Sequence, residues 1–295
     1  MHLMRSFCAV AILASSVSAQ VTLRILFVGD HFTNGAAPPV LNFNSANVTD
    51  AKGTGYGGIP GIWRRLVEDH PDIGNHFTTT ILAPTYIDLQ THANDNAAIL
   101  SRANAWDIVV LQEQHSMTLP ASRGGDPFYY ATGLKAVMQL VKTGNPNARF
   151  YLFQTWPTPD LVYGPKTPYY NCGHPIFYNQ VVDLRTSVSA AGAPYDLAPD
   201  NGIAFVGERF WQAIVDGYAV DGSGNNGTAT VNLWASNQWD ASKEGSYLAA
   251  LTLFRAIVSV DPRDVATGPG SAAAALGIPS AVANQLAEYA IAPPQ

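Results

Sequence analysis

Short apolar runs that alternate with longer amphipathic stretches are the feature that most limits how this chain can fold. Four runs are predicted to be buried strands, at residues 23–28, 77–82, 107–112 and 149–154, and a short fifth strand is predicted at 194–198. Helical patterns lie between and after them, at residues 61–70, 89–105, 128–142, 175–191, 209–216, 242–260 and 280–290. Because strands that alternate with helices favour a parallel sheet covered on both faces, we expect an α/β fold. The predicted architecture is a three-layer α/β/α sandwich with a central parallel sheet.

The amino terminus predicts secretion. Residues 1–19 combine an early arginine, an apolar run at 7–14 and an ending of small residues, which is the pattern of a signal peptide. That run is too short to span a bilayer, which takes roughly 20 apolar residues. We therefore expect residues 20–295 to form one extracellular domain that is monomeric and does not insert into a membrane.

Two further patterns agree with an extracellular protein. Cys172 is the only cysteine after the predicted cleavage point, so no intrachain disulfide is possible, and its aromatic neighbours favour burial. Asn47 and Asn226 each begin a glycosylation acceptor sequence. The net charge is −6 and no basic run occurs, so nucleic acid is excluded as an expected partner.

Polar residues follow three of the predicted strands at the point where each strand ends. They form the segments 29–31, 112–115 and 154–156. In open parallel sheets ligands bind outside the carboxyl ends of the strands. The sequence therefore predicts a ligand site where these three segments meet, and the site most naturally takes a small molecule or a carbohydrate.

The block Gly29-Asp30-His31-Phe32-Thr33 resembles the opening block of the GDSL/SGNH hydrolases, which supplies their serine nucleophile. Four later segments resemble one branch of that superfamily and occur in its order: residues 106–114, 154–156, 245–250 and 276–278. The resemblance implies a hydrolase fold over nearly the whole mature chain. It also implies carbohydrate-linked or other small esters as substrates, with no cofactor and no metal.

The catalytic positions of the superfamily hold other residues here. His31 stands at the serine position. Alignment on Ser242 and Gly245 places Asp240 at the histidine position and Asn237 at the aspartate position.

The oxyanion-binding positions differ as well. Thr85 or Tyr86 falls where the superfamily has a glycine whose amide helps to hold the oxyanion, and Gln112 or Gln114 replaces an asparagine of the third block.

These replacements change the expected chemistry. Acyl-enzyme formation at position 31 is excluded because there is no serine oxygen to activate. A histidine oriented by a carboxylate is instead a general base with a pKa near neutrality. We expect a His31–Asp240 dyad to take a proton, with Gln114 stabilising the charge that develops. The residues expected to contact substrate are Asp30, Tyr86, His92, Gln112, Glu113 and Trp156.

Several of these residues have structural alternatives. Asp240 or Ser242 could cap the helix that begins nearby, and the Asp30 carboxylate could accept backbone amides of its turn. Trp156 could fill the core, and His31 could be a buried histidine of an inactive site.

Two relocated sites are also possible from the sequence. His115 and Ser116 could form a new nucleophile pair, and His92 could join His31 and Asp240 around a metal ion.

Three functions remain open at this point. The first is hydrolysis, with the dyad activating water. The second is a lyase, isomerase or cyclase reaction in which the same dyad removes a proton from carbon. The third is a catalytically inactive protein that binds a glycan or a small molecule.

Overall fold

The computed structural model describes residues 22–74, 76–163, 169, 176–199, 202–223 and 227–292. The predicted signal peptide, Cys172 and Asn226 lie outside these ranges. Asn47 is exposed and follows a short turn, where its side chain donates to Asn44 Oδ1 at 2.9 Å.

Within the described residues, seven strands form one parallel sheet. In chain order they are β1 (Leu23–Val28), β2 (Val48–Asp50), β3 (Phe77–Leu82), β4 (Ile108–Leu111), β5 (Arg149–Gln154), β6 (Ala198–Pro199) and β7 (Gly202–Phe205). Their order across the sheet is β2-β3-β1-β4-β5-β7-β6. The direction of winding changes at β1, which is the position where an open parallel sheet forms its binding crevice.

Helices cover both faces of the sheet. They are α1 (His31–Asn34), α2 (Gly58–Asp69), α3 (Leu89–Asp95), α4 (Ala97–Leu100), α5 (Pro127–Gly144), α6 (Pro159–Tyr163), α7 (Ile176–Gly192), α8 (Val206–Val215), α9 (Lys243–Val258), α10 (Ala272–Ala275) and α11 (Ser280–Ile291).

The side chains of β1 pack into two hydrophobic clusters, one on each face of the sheet. Its side chains point alternately to opposite faces. Ile25 and Phe27 join the cluster formed with α2, α8, α9 and α11, whereas Leu26 and Val28 join the cluster formed with α3, α4 and α5. A strand buried on both faces has no polar alternation, which is why β1 appears as a continuous apolar run. The predicted three-layer α/β/α sandwich is confirmed.

The structure differs from the predicted elements in four places. The helix predicted at 89–105 breaks at Asn96 into α3 and α4. The strand predicted at 194–198 is mostly a turn of 3-10 helix, and the strands there are β6 and β7. The strand β2 lies between the strand predicted at 23–28 and the helix predicted at 61–70, where the Gly/Asn/Pro-rich sequence predicts a loop. The helix predicted at 209–216 begins at Val206, directly after β7.

None of the helices in the described part of the chain combines the length and apolar character needed to cross a bilayer.

Candidate active site

A cavity of about 320 Å³ opens beyond the carboxyl ends of β1, β3 and β4. Its lining comes from the turns after these strands and from the loop before α9: His31, Phe32, Tyr86, Gln114, His115, Ser116, Asn237, Trp239 and Asp240. The volume lies at the lower end of the range for ligand pockets, about 300–1,000 Å³. The cavity therefore suits a small ligand, at the edge of the sheet that the sequence predicts.

His31 and Asp240 meet at this cavity although 209 positions separate them in sequence. His31 Nδ1 lies 2.6 Å from Asp240 Oδ1, and both side chains are more than nine-tenths buried. Because the carboxylate can only accept, Nδ1 carries the proton of this bond. The second ring nitrogen, Nε2, has no hydrogen-bond partner in the described part of the chain and is not sealed from solvent.

Asn237 continues this chain of hydrogen bonds. Its Nδ2 donates to Asp240 Oδ2 at 2.6 Å, and its Oδ1 accepts the backbone amides of Trp239 and Asp240 at 3.1 and 3.0 Å. The three side chains thus form a relay in the order His31, Asp240, Asn237. The same positions hold serine, histidine and aspartate in the superfamily that the sequence resembles.

Two indole groups fix the loop that carries Asp240. Trp156 Nε1 donates to the carbonyl of Trp239 at 2.9 Å, and Trp234 Nε1 donates to the carbonyl of Pro157 at 2.9 Å. Ser242 caps α9 by accepting the amide of Gly245 at 3.1 Å, so the helix cap does not use Asp240.

Asp30 lies on the other side of the imidazole. Its Oδ1 caps α1 by accepting the amide of Phe32 at 2.9 Å, which is the structural role considered from the sequence. Its Oδ2 is buried, makes no hydrogen bond to any described residue, and lies 3.8 Å from His31 Nε2. The imidazole is therefore held between two carboxyl groups.

These neighbours shift the pKa of both groups. Burial raises the pKa of Asp30 to about 6, although the charge of His31 opposes the rise. Burial alone would lower the pKa of His31, but the hydrogen bond to Asp240 and the charges of both carboxylates raise it overall. Because the two groups lie 3.8 Å apart, the protonation of each one affects the pKa of the other.

Gln112 supports the site from below the cavity. Its Oε1 accepts the amide of Asp30 at 3.0 Å and the hydroxyl of Thr33 at 2.7 Å, and its Nε2 donates to the carbonyl of Glu113 at 2.6 Å. A Cβ at Gly29 would lie 2.4 Å from this oxygen, so glycine is required there. With both ends of its amide bonded and no exposure, Gln112 does not contact the cavity.

Glu113 is also buried and lies behind Gln114. Its Oε1 accepts the amide of Gln114 at 2.7 Å and the amide of Leu89 at 3.3 Å. Burial, together with the charges of Asp88 and Asp30, raises its pKa to about 8 despite these two donors. Glu113 therefore joins the turn after β4 to the start of α3 as a neutral acid.

The Glu113→Gln variant should become more stable than the wild type as the pH rises. The folded pKa of about 8 lies above the ordinary value of 4.5, so the stabilisation that the wild type gains from this proton is complete below pH 4.5 and is lost as the pH rises through 8. We expect the variant and the wild type to have similar free energies of unfolding at pH 4.5. At pH 8 the variant should be more stable by about 4 kcal/mol. Urea unfolding across this pH range measures the difference.

Glu288→Gln is the control for this experiment, because Glu288 is exposed. Its free energy of unfolding should follow that of the wild type at every pH. A Glu113→Gln curve that also runs parallel to the wild type would show that Glu113 is ionised in the folded protein.

Tyr86 and Gln114 form the part of the cavity where an oxyanion could be held. Tyr86 has a left-handed backbone with φ of 56°, a conformation that favours glycine, and its ring centroid lies 4.8 Å from that of His31. Gln114 lines the cavity, and its side-chain amide has no hydrogen-bond partner within the described ranges. Both residues therefore line the cavity, where the sequence predicts a substrate contact for Tyr86 and charge stabilisation by Gln114.

His115 and Ser116 line the cavity but do not form a nucleophile pair. His115 Nδ1 bonds to Thr155 Oγ1 at 2.8 Å, and its Nε2 bonds to Gln180 Nε2 at 2.9 Å. Gln180 can only donate through this nitrogen, so His115 Nε2 accepts and Nδ1 carries the proton. Burial lowers the pKa of His115 to about 3, and neither nitrogen remains to activate Ser116.

His92 does not reach the cavity either. Its Nε2 lies 2.9 Å from the carbonyl of Gly29, its Nδ1 lies 3.1 Å from Asn96 Nδ2, and burial lowers its pKa to about 4. It is a neutral histidine that holds the end of β1. No group of three or more metal-ligating side chains occurs among the residues that the structure describes.

Trp156 lies behind the cavity wall, because its ring is buried against Phe210 with centroids 5.3 Å apart. The aromatic wall is formed instead by Phe32, Tyr86 and Trp239. Sequence reasoning missed Trp239 as a wall residue, although its position next to Asp240 is a signal that could have identified it.

No protein-family model matches the sequence, and no curated protein matches it significantly. Among solved structures, a DUF4886 family protein from Bacteroides uniformis superposes with a TM-score of 0.54 at 14% identity, covering 91% of this chain and 93% of that chain. A candidate GDSL-like lipase from Parabacteroides merdae superposes with a TM-score of 0.51 at 14% identity, covering 81% and 96%. Structural similarity at such low sequence identity shows a shared fold and does not show a shared reaction. The chain has the α/β/α fold of the GDSL/SGNH hydrolases.

Proposed function

We propose that this protein is a hydrolase of small esters in which His31, oriented by Asp240, acts as the general base. The observation that carries the proposal is the 2.6 Å hydrogen bond between His31 Nδ1 and Asp240 Oδ1 at the cavity. This bond fixes the tautomer, so that the lone pair of Nε2 is available to a water molecule in the cavity.

The reaction follows from this geometry. His31 Nε2 takes a proton from water while the water oxygen forms a bond to the acyl carbon. The C–O bond to the leaving group then breaks, and His31 returns the proton to the leaving oxygen. Asp240 stabilises the imidazolium that exists between the two proton transfers. No acyl-enzyme is formed at position 31.

Charge that develops on the acyl oxygen needs donors in the cavity. Gln114 and Tyr86 both line it, and we propose the Gln114 side-chain amide and the backbone amide of Tyr86 as these donors. An oxyanion donor contributes about 10²–10³ in rate, so these two groups would account for much of the catalysis.

We also propose that residues 1–19 direct secretion and are removed. The mature chain then acts outside the cell as a glycosylated monomer, and its substrate is a small molecule or a carbohydrate ester. The absence of a basic run makes nucleic acid a poor partner.

The test is turnover of small chromogenic acyl esters by the purified protein, combined with labelling by a fluorophosphonate. We expect product to form without an initial burst and without labelling, because no serine is acylated. Labelling of any serine, including Ser116, would contradict the proposal. A protein that turns over no ester but converts a lyase or isomerase substrate in a His31-dependent way would assign the dyad to proton removal from carbon.

A further inference from the structure

Three aromatic rings line the cavity, and among the described residues of its lining Asp240 carries the one carboxyl group. Phe32, Tyr86 and Trp239 supply three rings, and Asp240 supplies a carboxylate. The Tyr86 ring centroid lies 4.8 Å from that of His31, and the Trp239 ring centroid lies 6.1 Å from that of His115. Among the described residues that line the cavity there is no lysine or arginine.

Two carboxyl groups face one imidazole next to the cavity. Asp240 Oδ1 lies 2.6 Å from His31 Nδ1, and Asp30 Oδ2 lies 3.8 Å from His31 Nε2. The negative charge that two carboxylates can carry exceeds the single positive charge that the imidazole can carry. In a small cavity such an excess of negative charge attracts cations and repels anions.

We infer that the cavity binds a small ester whose alcohol part carries a positively charged ammonium group. Rings with negative faces and a nearby carboxylate are the recognition chemistry of quaternary ammonium groups. The ammonium group would lie between Tyr86 and Trp239, with the ester bond next to His31. The inference rests on the proposed function for the reaction, but the binding preference can be measured without any reaction.

Neutral sugars are the main competing ligands, since they also stack on aromatic rings. They gain nothing from the net charge of the site, whereas a cation gains from both the rings and the carboxylate. Two ligands that have the same shape and differ only in charge therefore distinguish the two classes of ligand. Choline and 3,3-dimethylbutan-1-ol are such a pair, because the quaternary nitrogen of choline is replaced by carbon in the uncharged alcohol.

The first experiment measures binding of these two alcohols to the wild-type protein by calorimetric or NMR titration. We expect choline to bind at least about tenfold more tightly than its uncharged analogue. In Trp239→Leu this ratio should fall to about threefold or less. That variant keeps the backbone bonds of residue 239 to Asn237 and Trp156, so the loop should retain its position. Phe128→Leu is the control, because Phe128 is an 82% exposed aromatic residue outside the cavity.

Equal binding of the two alcohols by the wild type would overturn the inference, and so would a preference that Trp239→Leu leaves intact. The second experiment compares kcat/KM for acetylcholine and 3,3-dimethylbutyl acetate. Turnover of both esters at equal rates would overturn the cation preference and leave the hydrolase proposal standing. A choline preference with no ester turnover would support the ammonium site and overturn the hydrolase proposal.

Discussion

Replacing His31 with glutamine is expected to lower kcat/KM for a small ester by about 10²–10⁴, because the general base is lost while the side chain remains polar. Asp240→Asn should have an effect of similar size. An asparagine amide can donate to Nδ1, which would move the ring proton to Nε2 and remove its lone pair from the cavity. The measurement is steady-state turnover of the best ester found for the wild type.

Two controls test whether the loss of turnover comes from the His31–Asp240 dyad. His76→Gln is the matched control, since His76 lies directly before β3, at the amino-terminal edge of the sheet, and its turnover should equal that of the wild type. Thermal unfolding of each variant checks that the fold is retained. A folded His31→Gln variant with wild-type turnover would exclude the dyad from catalysis.

Serine chemistry is expected to appear when three residues are changed together: His31→Ser, Asn237→Asp and Asp240→His. The 2.6 Å contacts between these side chains already have the connectivity of a nucleophile, a base and an orienting acid. The smaller side chain at position 31 leaves space for the larger one at position 240. We expect the triple variant to be labelled by a fluorophosphonate at position 31, whereas the wild type is not labelled.

Its control carries His31→Ser and Asn237→Asp with Asp240→Ala, and therefore lacks a base. Labelling of the triple variant should be fast and that of the control slow, with mass spectrometry giving the modified position. Ester turnover by the triple variant should stay low, because a missing oxyanion donor costs about 10²–10³ in rate. Equal labelling rates in both variants would show that the new serine and histidine do not interact.

The main layers of the fold could be predicted because β1, β3, β4 and β5 are long runs of apolar or β-branched residues. The shorter strands could not be predicted in the same way. Strand β7 has only four residues, and it begins at Gly202, whose φ of 110° is a conformation that favours glycine. Strand β2 has three residues and is held by pairing with β3, a contact between distant parts of the chain.

The strand ends that form the site could be predicted from the sequence, but the contacts that each side chain makes there could not. His31 and Gln114 follow β1 and β4 and lie at the cavity. Gln112, only two positions before Gln114, is buried because both ends of its amide are bonded inside the protein, to Asp30, Thr33 and Glu113. Trp156 also follows a strand end but is buried, because the loop carrying Trp239 passes over it. Such long-range packing leaves no pattern in the local sequence.

The two indole bonds that fix the loop before α9 have a consequence for how the proposed enzyme works. Trp156 and Trp234 make these bonds with the chain's own backbone, so the position of the Asp240 carboxylate is determined during folding. No part of a ligand's binding energy is then required to assemble the base and its partner, and that energy can contribute to selecting the transition state.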